Sequence, residues 1–280
     1  VFNVGAQMLT LSGAGVFANT KNLTLNDPAS SLKLHGISKV DNVLISAELT
    51  TGKLKIAQNS TIENLAHTGS SRIDIDNAKV LTFSNAFEIL DNKSMELIGS
   101  GERTIDLPDA LKLSGTLKIS STGYTLRNGT LGLSGGLLDV VEDANIESNI
   151  TLSVNSTLQI DPSKTVTYAG AFVDIGTSKL NIQGGGSFIN SNSSALSLNN
   201  TNSHLVLDNV TVGFVSGSAA SNSSKGLEVS VDSTLTNLSL TDKLRLSVDS
   251  GKTLTLAEPL TVPTQGMDLA GAGTLDLSDN

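Results

Sequence analysis

The chain has 280 residues, of which 38% are apolar and 16% charged, with 27 acidic and 18 basic residues and no Cys or Trp. This apolar content excludes a disordered chain, the missing Cys excludes disulfide scaffolds and thiolate metal sites, and the net charge of −9 argues against a nucleic-acid partner. No apolar run reaches the roughly 18 residues of a membrane-spanning helix, so no transmembrane segment is expected in this chain.

A short apolar–polar–apolar unit recurs along the whole sequence at a step of about 21 to 22 residues. Such alternation is typical of a strand with one buried and one exposed face. The units begin at Leu9, Leu32, Leu54, Ile73, Met95, Leu117, Leu138, Leu158, Leu180, Leu205, Leu227, Leu244 and Met267.

Strands that repeat at this interval without intervening helices favour a parallel β-solenoid over a leucine-rich repeat, a propeller or a sandwich. We therefore predict an all-β, single-stranded parallel β-helix, right-handed, of about 13 coils, forming one domain over residues 1–280. Neither end carries a capping helix. We therefore expect open coil ends that continue into a longer coil or stack on a neighbour, such as a second copy of the chain.

The predicted corners between strands are rich in Gly, Asn, Asp and Ser, which accept positive φ or bond their own backbone. Three corners share one form, a turn followed by a β-branched residue and an inward Leu, at 154–158, 231–235 and 248–254. The low aromatic content fits a narrow lumen filled by Leu, Ile and Val.

Three segments depart from this pattern. Residues 83–90 carry two of the seven Phe, and we interpret them as a strand and corner with Phe in the lumen, a short extruded turn being the alternative. We expect the Ser- and Asn-rich segments 187–203 and 216–224 to be lengthened corners or solvated loops, where solenoids often bind partners.

Polar middle positions of the units predict an exposed column whose signs partly alternate. Its members are Lys33, Lys55, Asp74, Glu96, Lys118, Asp139, Gln159 and Asn181. Asp74 and Glu96 lie in adjacent coils, so they are the one candidate carboxylate pair for a saccharide-cleaving site. Nothing else in the sequence converges on them, and we predict no catalytic residue.

No cofactor or metal site is predicted. His35, His67 and His204 are far apart and are expected at the surface or in corners, and the two carboxylates of Asp74-x-Asp76 are too few for calcium. The Thr-x-Thr triplets at 165–167, 234–236 and 253–255 are too few for a flat ice-binding ladder. Glycosylation sequons beginning at Asn22, Asn59, Asn149, Asn209 and Asn237 are weak signals in a chain this rich in Asn, Ser and Thr.

The segments 154–160, 231–235 and 251–256, with the absent Cys and the many Asn, Ser, Thr and Gly residues, resemble secreted bacterial β-helix proteins. These are autotransporter passengers and filamentous-haemagglutinin-like adhesins. The resemblance implies export to the cell surface, a rod that displays or spaces something, and no cofactor.

The sequence therefore favours a structural or adhesive extracellular fibre segment, associating with itself through its open ends or with a surface glycan or a host or neighbour-cell protein. The alternatives are a carbohydrate-active β-helix enzyme, lyase or hydrolase, and a glycan-binding spike module without enzymatic activity.

Overall fold

The structure is a computed structural model, and it describes residues 1–107, 110–221 and 225–277. Within these residues the chain is all-β, with parallel strands stacked as a β-solenoid of about 12 turns, close to the predicted thirteen. Its contacts group into two compact units, which are described separately: unit 1 contains 1–132 and 136–148, and unit 2 contains 133–135 and 149–280. The single domain over 1–280 stays a prediction.

The described residues up to 148 contain seventeen strands. These are β1 (Phe2–Asn3), β2 (Met8–Phe17), β3 (Leu23–Leu25), β4 (Ser31–Ile45), β5 (Leu54–Ile56), β6 (Ser60–His67), β7 (Ser71–Ile75), β8 (Lys79–Phe83), β9 (Phe87–Ile89), β10 (Ser94–Gly99), β11 (Arg103–Asp106), β12 (Ala110–Leu113), β13 (Thr116–Ile119), β14 (Tyr124–Arg127), β15 (Thr130–Ser134), β16 (Leu137–Val140) and β17 (Ala144–Ile146).

The described residues from 149 onward contain the other strands and one 3-10 turn, Asn192–Ser194. The strands are β18 (Asn149–Val154), β19 (Ser156–Ile160), β20 (Thr165–Tyr168), β21 (Val173–Asp174), β22 (Lys179–Gln183), β23 (Ser187–Ile189), β24 (Leu196–Leu198), β25 (His204–Asp208), β26 (Thr211–Gly217), β27 (Gly226–Val231), β28 (Ser233–Leu240), β29 (Leu244–Val248), β30 (Thr253–Leu256), β31 (Met267–Gly271) and β32 (Thr274–Asp276).

A coil in the middle of unit 1 consists of three short strands separated by corners. One coil contains β7, β8 and β9, and the next contains β10, β11 and β12. Each strand pairs in parallel with the equivalent strand of the next coil, β7 with β10, β8 with β11 and β9 with β12. The predicted parallel coils of short strands are therefore confirmed.

The core of each unit is a stack of aliphatic side chains, one from each coil. In unit 1 one in-register stack contains Leu9, Leu32, Leu54, Ile73, Leu97, Ile119 and Val140. In unit 2 the equivalent stack contains Leu180, Leu205, Leu227, Leu246 and Leu269. Since a fully buried Leu or Ile contributes roughly 1.5–3 kcal/mol, these stacks are the main force that holds successive coils together.

The register differs from the sequence alignment of the units at several steps. The alignment predicts that Ile73 stacks on Met95, but the structure pairs Ile73 with Leu97, two residues later. The same two-residue shift occurs between Leu158 and Ile182 and between Leu227 and Leu246. Because side chains alternate with a period of two, a shift of two leaves every inward residue inward. The apolar pattern therefore cannot reveal it.

Asparagine side chains at the corners join successive coils. The Asn59 Oδ1 accepts the Val80 N–H at 3.0 Å, and the Asn149 Oδ1 accepts the Ala171 N–H at 3.0 Å. The Asn155 Oδ1 accepts the Lys179 N–H in the same way, at 2.8 Å. These bonds satisfy backbone donors that turn away from the strand ladders, which explains why Asn is frequent at the predicted corners.

Two of the three corners of shared form have a buried serine with one common role. The Ser156 Oγ donates to the Val154 carbonyl at 3.0 Å, and the Ser233 Oγ donates to the Val231 carbonyl at 2.8 Å. Each of these hydroxyls also accepts a backbone N–H from the preceding coil. The serine therefore closes the turn and joins two coils.

The three segments that depart from the repeat pattern in the sequence differ in structure. Phe83 and Phe87 are buried with ring centroids 4.7 Å apart, so 83–90 is the expected strand and corner with Phe in the lumen. The segment 187–203 is not a loop, because it contains β23, the 3-10 turn and β24, and Leu196 and Leu198 are buried. Of the segment 216–224, residues 222–224 lie outside the described residues.

Candidate functional site

Outward charged side chains form two axial columns in unit 1. Lys33, Lys55 and Asp74 are in register in successive coils. The two-residue shift then places Glu96 opposite Arg72 instead of Asp74. The second column contains Arg72, Glu96, Lys118 and Asp139. Asp74 and Glu96, the candidate carboxylate pair, are therefore offset by two residues along the strand and do not face each other.

The last two residues of the predicted column, Gln159 and Asn181, lie in unit 2 and are offset in the same way. Gln159 is opposite Gln183, and Asn181 is opposite Thr157. The Asn181 amide donates to the Gln183 Oε1 at 2.6 Å, and the Gln183 amide donates to the Gln159 Oε1 at 3.2 Å. These side chains form an amide relay between two coils.

Asp74 is the centre of a charge cluster and is only 7% exposed. Its Oδ2 is 2.6 Å from the Lys53 Nζ and 3.2 Å from the Lys55 Nζ, and Lys55 also bonds Asp76 at 2.5 Å. Burial opposes ionisation of Asp74, but the hydrogen bonds from the two lysines outweigh it and lower its pKa. A carboxylate held ionised in this way joins coils well and is a poor proton donor.

A groove of about 500 Å³ lies on the outer surface of unit 1, and we call it the mixed-charge groove. Its lining includes Glu48, Thr50, Ser70, Arg72, Ser94 and Glu96. Arg72 reaches across it, since its Nε donates to the Glu96 Oε2 at 3.0 Å and its Nη1 to the Thr50 carbonyl at 3.2 Å. In this groove the sequence-predicted Glu96 and a second carboxylate, Glu48, line the same concave surface.

The acids of the mixed-charge groove are already paired. The Glu48 carboxylate lies 2.5 Å from the Lys93 Nζ, and hydrogen bonds from Lys93 and then Ser70 lower the pKa of Glu48. Glu96 accepts from Arg72 and, through Oε1, from Ser120 at 2.8 Å. A glycosidase needs one carboxyl with a raised pKa as its general acid, so this arrangement favours ion pairing over proton transfer.

His67 lies inside the coil behind this groove. Its Nε2 is 2.8 Å from the Ser71 Oγ, whereas its Nδ1 is buried without a partner. Burial lowers the pKa of His67 to about 4, against the opposing charge of Glu48. His67 is 4% and Ser71 1% exposed, so the pair is neutral at pH 7 and closed to a substrate. The expectation that His67 is a surface or corner residue is therefore wrong.

Arg103 is a buried cation in the lumen of unit 1, at 2% exposed. Its guanidinium lies 4.6 Å from the centre of the Tyr124 ring and donates to the carbonyls of Gly101 and Thr122, while Nη1 has no partner. The same burial raises the pKa of Tyr124. Sequence reasoning missed Arg103, although it shares the inward parity of Ile105 in β11.

The other predicted residues stay apart. His35 is exposed, and His204 is partly buried with its Nε2 2.8 Å from the Glu228 Oε2. Among the described residues no three His, Asp or Glu side chains are grouped as metal ligands, and no helix is long and apolar enough to cross a membrane.

An asparagine ladder, Asn19, Asn42, Asn64 and Asn85, joins four coils of unit 1. The Asn19 amide donates to the Asn42 carbonyl at 2.7 Å, and the Asn64 amide donates to the Asn42 Oδ1 at 3.2 Å. The Asn85 amide lies 2.7 Å from the Asn64 Oδ1. At the other end, the Asn19 Oδ1 is buried without a partner. The ladder residues recur at the coil period, which is the signal that the sequence offered.

The β2 face is the uncovered side of β2 (Met8–Phe17) together with Asn19. Among the described strands β2 pairs with β4 alone. Leu9 and Leu11 are partly exposed, whereas the residues registered with them, Leu32 and Leu34, are fully buried. Partly exposed lumen residues and unpaired strand groups therefore meet on one surface.

The β31 face is the uncovered side of β31 and β32 in unit 2. Leu269 is 60% exposed, although Leu246, on which it stacks, is completely buried. Its corner, Leu269-Ala270-Gly271-Ala272-Gly273, repeats the pattern of Leu11-Ser12-Gly13-Ala14-Gly15 at the β2 face.

Comparison of the chain with protein-family models, with curated proteins and with solved structures found no match.

Proposed function

We propose that the chain is a structural and adhesive segment of an extracellular fibre, and that copies associate by stacking the β31 face of one on the β2 face of the next. The observation that carries the proposal is the β2 face, where, among the described residues, a strand edge and a lumen stack are left without a partner. A further coil of the same kind satisfies both at once.

Glycines at the corners indicate which kind of coil can stack on the β2 face. Inside the protein, a Cβ on Gly36 would lie 2.8 Å from the Gly13 carbonyl oxygen, and one on Gly271 would lie 2.0 Å from that of Val248. In both cases the bare side of the glycine rests on the preceding coil. Gly13 has a φ of +107°, and no atom lies within 4 Å of its missing Cβ. The corner at Gly271 has the same Gly-Ala-Gly pattern, so a second copy presents a matching coil.

Ion pairs between coils support the structural role. Lys53 and Lys55 bind Asp74, Arg127 binds Asp106 at 2.5 Å, and Arg245 binds Asp268 at 3.2 Å across neighbouring coils. Exposed pairs contribute only about 0–1 kcal/mol each, but their direction is along the coil axis, where a fibre is stretched.

Association is tested by sedimentation velocity and electron microscopy of the full chain over a wide concentration range. We expect wild type to form species larger than a monomer, and Leu11→Lys or Leu269→Lys to remove them, because each places a charge on one stacking surface. Thr10→Lys, on the outward side of β2, is the matched control. A mixture of the two blocked variants retains one good face of each kind, so it is expected to stop at dimers.

A wild-type chain that stays monomeric at every concentration, or a Leu11→Lys variant that assembles like wild type, would refute this association. Location is tested separately, by antibody labelling of intact and permeabilised cells of the source organism. Labelling only after permeabilisation would refute the extracellular part.

A carbohydrate-active enzyme is the second candidate, and the mixed-charge groove is the observation that favours it. Glu48, Arg72 and Glu96 line one concave surface that a sugar can enter. Because the pKa of Glu48 is lowered and both acids are in ion pairs, we favour the structural proposal over the enzyme.

A further inference from the structure

Unit 2 has a column of hydroxyl side chains on its outer surface, which sequence reasoning judged only as isolated Thr-x-Thr triplets. Five residues from successive coils are in register: Thr165, Ser187, Thr211, Thr234 and Thr255. Successive coils of a parallel sheet lie about 4.8 Å apart, so the column presents one hydroxyl at each such step.

A rigid core supports this column. The residues that follow each hydroxyl point inward and form their own in-register stack, Val166, Phe188, Val212, Leu235 and Leu256. Each is at most 1% exposed. β-Branched Thr side chains also have few rotamers, so the spacing of the hydroxyls is fixed before any ligand binds.

Three hydroxyls of the column have no partner within the described part of the protein. Within the described residues, the side chains of Thr211, Thr234 and Thr255 make no hydrogen bond to the protein. Other hydroxyls already bond the protein backbone; for example, the Ser60 Oγ donates to the Ile37 carbonyl at 2.8 Å.

These threonines border a trough of about 340 Å³, which we call the threonine trough. Its lining includes Thr211, Thr234 and Thr255 and the residues two positions before them, Asn209, Asp232 and Thr253. The Asp232 Oδ1 accepts the Thr253 N–H at 2.8 Å, which joins these lining residues of two neighbouring coils. Among the residues that the structure describes, no Lys, Arg or aromatic residue lines the trough.

We infer that the threonine trough binds a linear, neutral polysaccharide that lies along the coil axis. A regular row of unpartnered hydroxyls, each both donor and acceptor, matches a polymer with regularly spaced hydroxyls. The missing Lys and Arg disfavour a polyanion. A peptide strand is disfavoured because the strands that line the trough pair with one another and do not offer an open edge. This inference rests on the adhesive part of the proposed function and gives it a ligand class.

The test is affinity electrophoresis of the full chain in gels containing β-glucan, xyloglucan, mannan or, for comparison, polygalacturonate. We expect at least one neutral polymer to retard the chain and polygalacturonate to retard it less. Thr→Val at 211, 234 or 255 removes a hydroxyl and keeps the branched shape. Each single change is expected to weaken binding about threefold to tenfold, and the triple variant at least about thirtyfold.

Thr61→Val and Thr157→Val are the controls, since both are outward strand threonines outside the trough. Their binding is expected to equal that of wild type. No retardation by any neutral polymer, or equal retardation of the triple variant and wild type, would overturn the inference. Sedimentation velocity of the triple variant separates the two proposals, because losing the trough should leave association intact.

Discussion

His67 should make the stability of unit 1 depend on pH. Its pKa is about 4 in the folded chain and 6.5 as its ordinary value. The unfolded state therefore binds a proton between these values that the folded state does not. The stabilisation is fully present above pH 6.5 and is lost as the pH falls toward 4. At 1.36 kcal/mol per pKa unit, the loss is about 3 kcal/mol.

The assay compares wild type with His67→Gln, which cannot titrate and retains a polar group for the Ser71 hydroxyl. Urea unfolding of both chains is measured from pH 7.5 to pH 4. Carboxylates titrate in both chains, so the difference in the free energy of unfolding isolates His67. An NMR titration of the His67 ring gives its midpoint directly. A flat difference curve, or a ring midpoint near 6.5, would refute the reasoning.

Three further outcomes are expected. Gly99→Ala should lower the thermal stability more than Gly135→Ala. Both glycines have positive φ, but only at Gly99 does a Cβ meet the Arg103 Nη1 at 2.9 Å and the Ile75 carbonyl at 2.8 Å. The positive φ costs an alanine about 1–2 kcal/mol at either position, and the crowding at Gly99 costs about 1–3 kcal/mol more. Equal losses of melting temperature in the two variants would contradict this prediction. Asn64→Ala breaks the asparagine ladder and should cost about 0.5–1.5 kcal/mol in urea unfolding, and an unchanged midpoint would show that the ladder does not contribute to stability. Incubation with a polysaccharide panel should release no reducing ends. Release that Glu48→Gln abolishes would instead establish the enzyme.

The repeat and its fold were predictable because a lumen imposes a strict in–out alternation on every coil. Leu32, Leu54 and Ile73 carry that pattern in the sequence, and the structure stacks them as expected. The count of coils was close for the same reason.

The pairing of the charges was not predictable. Asp74 and Glu96 follow the same pattern, but a shift of two residues preserves the pattern while changing every outward neighbour. His67 and Arg103 were missed because polar residues are ordinarily read as exposed. His67 is buried beside the Ser71 hydroxyl, and Arg103 is buried beside the backbone carbonyl of Thr122. Composition indicates neither contact.

The two-residue shifts between coils also define how such a chain can change in length. Adding or removing an even number of residues in a strand leaves the inward face apolar, so coils of unequal length remain compatible. An odd change inverts every side chain that follows until a corner restores the order. Whether the solenoid tolerates an insertion therefore depends more on whether the number of inserted residues is even than on how large that number is. A protein of this kind can diversify its outer surface by duplication and pairwise insertion while the aliphatic stack inside stays the same.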